Sequence, residues 1–125
     1  MPHLVLDGGL DGDASATELA TERVSRWGRA VLKTEGCWRR SGGQALLVEG
    51  VVVEFSRPQH PVAVVSWDDD HTTVRLWPTA PVERTRPVQR WLAELARRLQ
   101  GVGAGAVRTT NIPDEVWSDL DLSGP

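Results

Sequence analysis

The sequence predicts an α+β domain built on a mixed, mostly antiparallel sheet, and three observations carry that prediction. Short apolar runs rich in β-branched residues recur along the chain, closed by glycine, proline or aspartate. Two of them, Val62 to Trp67 and Thr72 to Trp77, are separated only by Asp68-Asp69-Asp70-His71, which is hairpin spacing. One later stretch places Val88, Trp91, Leu92, Leu95, Ala96 and Leu99 at helical spacing.

The elements follow in order. His3 to Leu6 is a short apolar first strand, and the Gly/Asp-rich DGGLDGD loop leads into a helix beginning near Ser15. Ser15-Ala16-Thr17-Glu18 matches a capping box, in which serine and glutamate reciprocally satisfy orphan amides. Ala16, Leu19, Ala20, Val24 and Trp27 then share one helical face, and Gly28 ends the helix. Ala30 to Trp38 reads as a strand with Gly36 as a bulge, and residues 39–43 turn the chain. Gln44 to Phe55 is valine-rich and scarcely alternates, as expected of a central strand covered on both faces, with a bend at Gly50. Ser56 to Pro61, with two prolines, turns the chain into the hairpin. In the long helix, Gln89, Arg90, Glu94, Arg97 and Arg98 fall off the apolar stripe and are expected in water. GVGAG closes that helix, Ala106 to Thr109 forms a last strand, and Trp117 anchors a loosely held helical turn.

This order, β-α-β-β-β-β-α-β, is most simply built with two helices on one face of the sheet, an arrangement loosely ferredoxin-like. Residues 1–110 form the single α+β domain and residues 111–125 a tail, packed or loosely held. Architecture of this kind carries no function with it.

At 125 residues, with 40% hydrophobic and 25% charged residues, the chain has the make-up of one ordinary globular domain. No apolar run approaches the ~20 residues needed to span a bilayer, and the start MPHLVLDGG is no secretory signal. The single cysteine, Cys37, precludes an internal disulfide and suits a reducing cytoplasm. Charge is unevenly spread: residues 1–22 carry five acids and no base, residues 23–108 carry all 14 basic residues against 8 acids, and residues 109–125 carry four acids. Either the middle presents an electropositive face, or the acidic ends fold over it and neutralise it.

Candidate chemistry is thin. Asp68–His71 has the side chains of a metal-dependent enzyme, but neighbouring residues in an extended loop point apart, so a site would need His60. An intervening strand at about 3.3 Å per residue holds His60 roughly 20 Å from His71. Asp11, Asp13, Ser15, Thr17 and Glu22 fall at EF-hand positions, but Ala16 stands where the loop needs glycine. Neither glycine-rich segment has phosphate-loop spacing in the right context, and Cys37 lacks an adjacent histidine. No catalytic residue, metal ligand or cofactor is therefore assigned. The expectation is a non-catalytic cytoplasmic domain acting by protein binding or self-association, a homodimer being plausible, with no membrane partner. The alternative is a nucleic-acid-binding protein using Arg26, Arg29, Lys33, Trp38, Arg39, Arg40, Arg90 and Arg97, because arginine pairs with phosphate and exposed tryptophan stacks on bases.

Overall fold

A computed structural model of the chain describes residues 1–124. Eight strands form one sheet: β1 (His3–Asp7), β2 (Arg23–Trp27), β3 (Ala30–Arg39), β4 (Ala45–Glu54), β5 (Arg57–Gln59), β6 (Val62–Trp67), β7 (His71–Leu76) and β8 (Val107–Thr110). Three helices accompany them: α1 (Gly12–Ala20), α2 (Arg86–Gln100) and the short α3 (Asp114–Trp117). The spatial order is β2-β3-β4-β6-β7-β1-β8, with β5 beside β4. The α+β class holds, but every pairing is antiparallel, so the mixed sheet and the ferredoxin-like arrangement are corrected. The reason is connectivity: β2, β3 and β4 run as successive hairpins, β5 and β6 both return along β4, β6 and β7 form a further hairpin, and β1 and β8 enter antiparallel at the far side.

The largest local correction is the first helix. Asp11, not Ser15, caps it, its side chain accepting from the amides of Asp13 and Ala14. Ser15 lies inside the helix and is buried. The helix stops at Ala20, and Val24 and Trp27 belong to β2. Their spacing from Leu19 and Ala20 imitates a helical stripe, but RVSRW alternates across a strand. Ser25 pairs with Leu32 and Trp27 with Ala30 on the core side, while Val24 and Arg26 point the other way. Gly28, at φ 58°, opens the two-residue turn into β3, a conformation that glycine reaches without a Cβ clash.

β3 keeps its predicted bulge, with the register shifting between Thr34 and Gly36. β4 is not covered on both faces. Leu46, Val48 and Val52 are buried under the helices, whereas Leu47 and Glu49 are exposed and Val51 and Val53 half-exposed. Gly50 seats a tryptophan: a Cβ there would lie 2.5 Å from the Trp91 ring. The segment expected to be a pure turn contains β5, whose Pro58 is tolerated because β5 lies at an edge.

α2 starts at a Thr85 cap and packs Val88, Trp91, Leu92, Leu95, Ala96 and Leu99 into the core. Trp91 donates its indole N–H to the Thr34 hydroxyl across 3.2 Å. Two arginines expected in water are buried instead. The Arg90 side chain is 7% exposed and bonds Glu94, the Val116 carbonyl and Asp119. The Arg98 side chain reaches the carbonyls of Glu18 and Thr21. The tail is packed: Ile112, Val116 and Leu122 are core residues, and Gln100 donates to the Leu122 carbonyl at 3.0 Å.

Candidate functional site

The β6–β7 hairpin tip carries the chemically most capable side chains of the chain. Asp68, Asp70 and His71 each place one ligand atom within 4.8 Å of the others. The expectation that neighbours in this loop point apart is thus corrected: a side-chain turn gathers them. Asp68 accepts from the amides of Asp70 (2.8 Å) and His71 (2.9 Å). Those amides, His71 first, hold its carboxyl below the usual carboxylate range. Asp70 accepts from Arg108 at 2.9 Å, which lowers its pKa likewise, and Arg108 also bonds Asp7 at 2.7 Å. The oxygens are engaged by amides and a guanidinium, so the cluster works as a staple between β1, β7 and β8. His60 precedes β6 while His71 follows it across the turn, so the two imidazoles lie at opposite ends of the β6–β7 hairpin.

The EF-hand-like residues are likewise spent on structure. Asp11 caps α1, Asp13 pairs with Arg39, and Ser15 is buried. Cys37 sits opposite Val48 on the helix side of the sheet, and burial raises its thiol pKa, so it is a weak nucleophile.

The arginine-rich middle does not form one continuous face. The acidic ends fold over it: Asp7 meets Arg108, Asp13 meets Arg39, Glu18 meets Arg23 and Arg98, Glu22 meets Lys33, Glu115 meets Arg86 and Asp119 meets Arg90. Of the candidate nucleic-acid residues, Arg90 and Arg97 lie on α2, Arg90 buried and Arg97 exposed, on one side of the sheet. Arg26, Lys33 and Trp38 point from the other side, as their pairings with Val31, Val51 and Leu47 require. Arg29 sits at the β2–β3 turn, its guanidinium 5.8 Å from the Phe55 ring centre, at the opposite end of that hairpin from Arg39 and Arg40.

That other side is the most distinctive surface of the molecule. Both α1 and α2 pack on the face that carries Leu32, Val48, Val65 and Val74, and among the described residues no helix covers the reverse. Across the reverse face the pairings align Trp38, Leu47, Val64 and Arg75 in one row over β3, β4, β6 and β7. Trp38 is 64% exposed and Trp77 40% exposed. The two indoles flank a groove of about 430 Å³ whose floor is Ala45, Leu47, Val64 and Ser66 and whose rim carries Arg39, Arg40 and Arg75. The Trp38 indole N–H donates to Glu49 across 2.7 Å, fixing the ring over the sheet. Trp38 and Arg40 were legible in the sequence as a tryptophan beside arginines at a turn. Leu47, Val64, Arg75 and Trp77 were not, although the unbroken apolar run of β4 was their signal: it meant that a second apolar face exists.

No protein-family model matches the chain, and searches of curated proteins and of solved structures give no match.

Proposed function

We propose that the chain is a non-catalytic binding domain that recognises another macromolecule, or a second copy of itself, through the open face of its sheet. One observation carries this reading: Trp38, Leu47 and Trp77 are exposed around a nearly buried Val64 on a face that no helix covers among the described residues. Contiguous exposed apolar surface rimmed by polar groups marks interaction sites. The capable side chains elsewhere are engaged in caps, staples and ion pairs, which favours binding over catalysis. No helix of the described residues is long and apolar enough to cross a membrane. A cytoplasmic setting fits the half-buried free Cys37.

The test is sedimentation over a concentration series, joined to NMR of the side chains on this face. Association that broadens the Leu47, Val64 and Trp77 signals and is abolished by Leu47→Asp supports a homodimer. A strict monomer removes self-association and leaves a different partner. A second reading has single-stranded nucleic acid on the same face, with Trp38 and Trp77 as stacking platforms and Arg40 and Arg75 meeting phosphates. Salt-dependent affinity for an oligonucleotide that falls in an Arg40→Ala/Arg75→Ala variant is its signature.

A further inference from the structure

We propose that the groove between Trp38 and Trp77 holds an extended acidic peptide segment of a partner protein, with apolar side chains seated between the indoles and carboxylates on the arginine rim. This deepens the reading above and rests on it. The groove volume, about 430 Å³, lies within the range of sites that take a ligand rather than a stray side chain, and its floor is aliphatic.

Charge selects the occupant. Three arginines line the groove and no acidic residue does. Arg39 is satisfied by Asp13, but Arg40 and Arg75 have no ion-pair partner among the described residues. Pairing two copies about a two-fold axis over this groove would bring the same guanidiniums of both copies into one interface, and like charges brought together there are unfavourable. An anionic partner is therefore favoured over a second copy.

A nucleic acid fits less well than a peptide. Glu49 stands on the same face, bonded to the Trp38 indole, so a strand stacked on that ring would run its phosphates past a carboxylate. Lys33, the nearest further base on β3, is already paired with Glu22 at 3.2 Å. Leu47 and Val64 offer no stacking plane between the two tryptophans, but they suit leucine or phenylalanine side chains. A peptide can also place its carboxylates at Arg40 and Arg75 alone. The floor strands β4 and β6 are hydrogen-bonded to neighbours on both sides, so recognition is by side chains and not by addition of a strand.

The test is fluorescence anisotropy of the full chain with fluorescein-labelled peptide EDLFDLEE, its charge-reversed counterpart KKLFKLKK, and an oligothymidine of about ten nucleotides. The acidic peptide is expected to bind at least about tenfold more tightly than either competitor, a difference of about 1.4 kcal/mol. Arg40→Ala/Arg75→Ala should remove most of that preference, and Leu47→Asp should abolish binding. Arg97→Ala, on the far side of the sheet, should change nothing. All four positions are exposed, and circular dichroism verifies that each variant folds. Absence of acidic-peptide binding up to millimolar concentration, equal binding of both peptides, indifference to the double arginine variant, or tighter oligonucleotide binding each overturns the proposal. If the peptide fails while Leu47→Asp still abolishes association in the sedimentation experiment, the peptide inference falls and the open-face reading stands. If Leu47→Asp affects neither, both fall.

Discussion

The two faces of this sheet are made of similar residues and meet different fates. β4 shows both within one strand: Leu46, Val48 and Val52 point to the helices and vanish from solvent, while Leu47, Val51 and Val53 point away and stay in partial or full contact with it. Apart from Glu49 on the open side, residue type does not distinguish the sets. What separates them is whether the chain supplies a layer on that side, since an antiparallel sheet can leave one face toward water. On the open side that face is usually polar; here Trp38, Leu47, Val51, Val53 and Trp77 stand among Arg26, Lys33, Glu49 and Arg75. The difference between the faces lies in the helices laid over one of them, and the proposed contact would use the face that no helix covers among the described residues.

Two tryptophans offer the sharpest way to break that contrast. Trp91 is 1% exposed, lies on Gly50 and bonds Thr34; Trp38 is 64% exposed. Trp91→Ala is expected to cost about 3–5 kcal/mol, because it leaves a cavity and an unpartnered hydroxyl. Trp38→Ala should stay within about 0.5 kcal/mol of the parent. Urea unfolding of the two variants measures both, and comparable losses would show that the open face contributes to folding as a core does.

Arginines repeat the contrast at lower amplitude. Arg90 fastens the tail through Asp119 and the Val116 carbonyl, with Glu94 beside it. Arg90→Ala leaves Glu94 without its cation in a half-buried site, and the expected loss is about 3 kcal/mol, the lower end of the range for broken buried pairs because Asp119 is largely exposed. Hydrogen exchange should show the amides of residues 116–122 losing protection first. Arg40→Ala, on the open face, should be near neutral for stability.

These positions also explain what the sequence revealed. The α+β class, the β6–β7 hairpin, the Gly36 bulge and the apolar stripe of α2 were legible because each rests on local periodicity or local turn chemistry. The α1–β2 boundary was not, because Val24 and Trp27 happen to fall at helical spacing from Leu19 and Ala20; the better signal was Trp27-Gly28-Arg29-Ala30, a two-residue turn with glycine first. Arg90 and Arg98 were placed in water by their charge, since the carbonyls and carboxylates that draw them inward come from residues distant in sequence. The groove was hardest to see. It is assembled from β3, β4, β6 and the end of β7, so it exists only once the register is fixed.

Acid should expose the same division. Arg90 holds the Asp119 carboxyl below its usual range, and the His71 and Asp70 amides do the same for Asp68. A carboxylate depressed in the folded state adds stability that is complete above its unfolded pKa of about 4 and is lost as pH falls through the folded value. Stability should therefore decline below about pH 4, with the tail loosening as Asp119 is protonated. Asp119→Asn should lower stability at neutral pH and flatten that decline. Thermal melts from neutral pH to the acid limb measure it, and an unchanged acid slope would show that the Arg90–Asp119 pair does not report on tail docking.

The smallest expected effect tests where the open face ends. Phe55 and Ser56 form the β4–β5 turn with φ of 53° and 60°, a left-handed pair that favours Asn-Gly in two-residue hairpins. Phe55 is 67% exposed, so its removal sacrifices little burial, although it loses the Arg29 guanidinium 5.8 Å above its ring. Left-handed backbone costs an ordinary residue about 1–2 kcal/mol; in a Phe55→Asn/Ser56→Gly variant glycine removes that cost at position 56 and asparagine only a small part of it at position 55. Against that stand the lost cation–π contact, about 0.5 kcal/mol, and the greater freedom of glycine in the unfolded chain. The net expectation is a gain of up to about 1 kcal/mol. If urea unfolding shows that gain and association is unchanged, Phe55 is merely a poor turn residue and the contact face stops at the groove. If stability rises while association weakens, a bulky aromatic in a strained turn is functional, and the face runs from Trp77 to the tip of the β4–β5 hairpin.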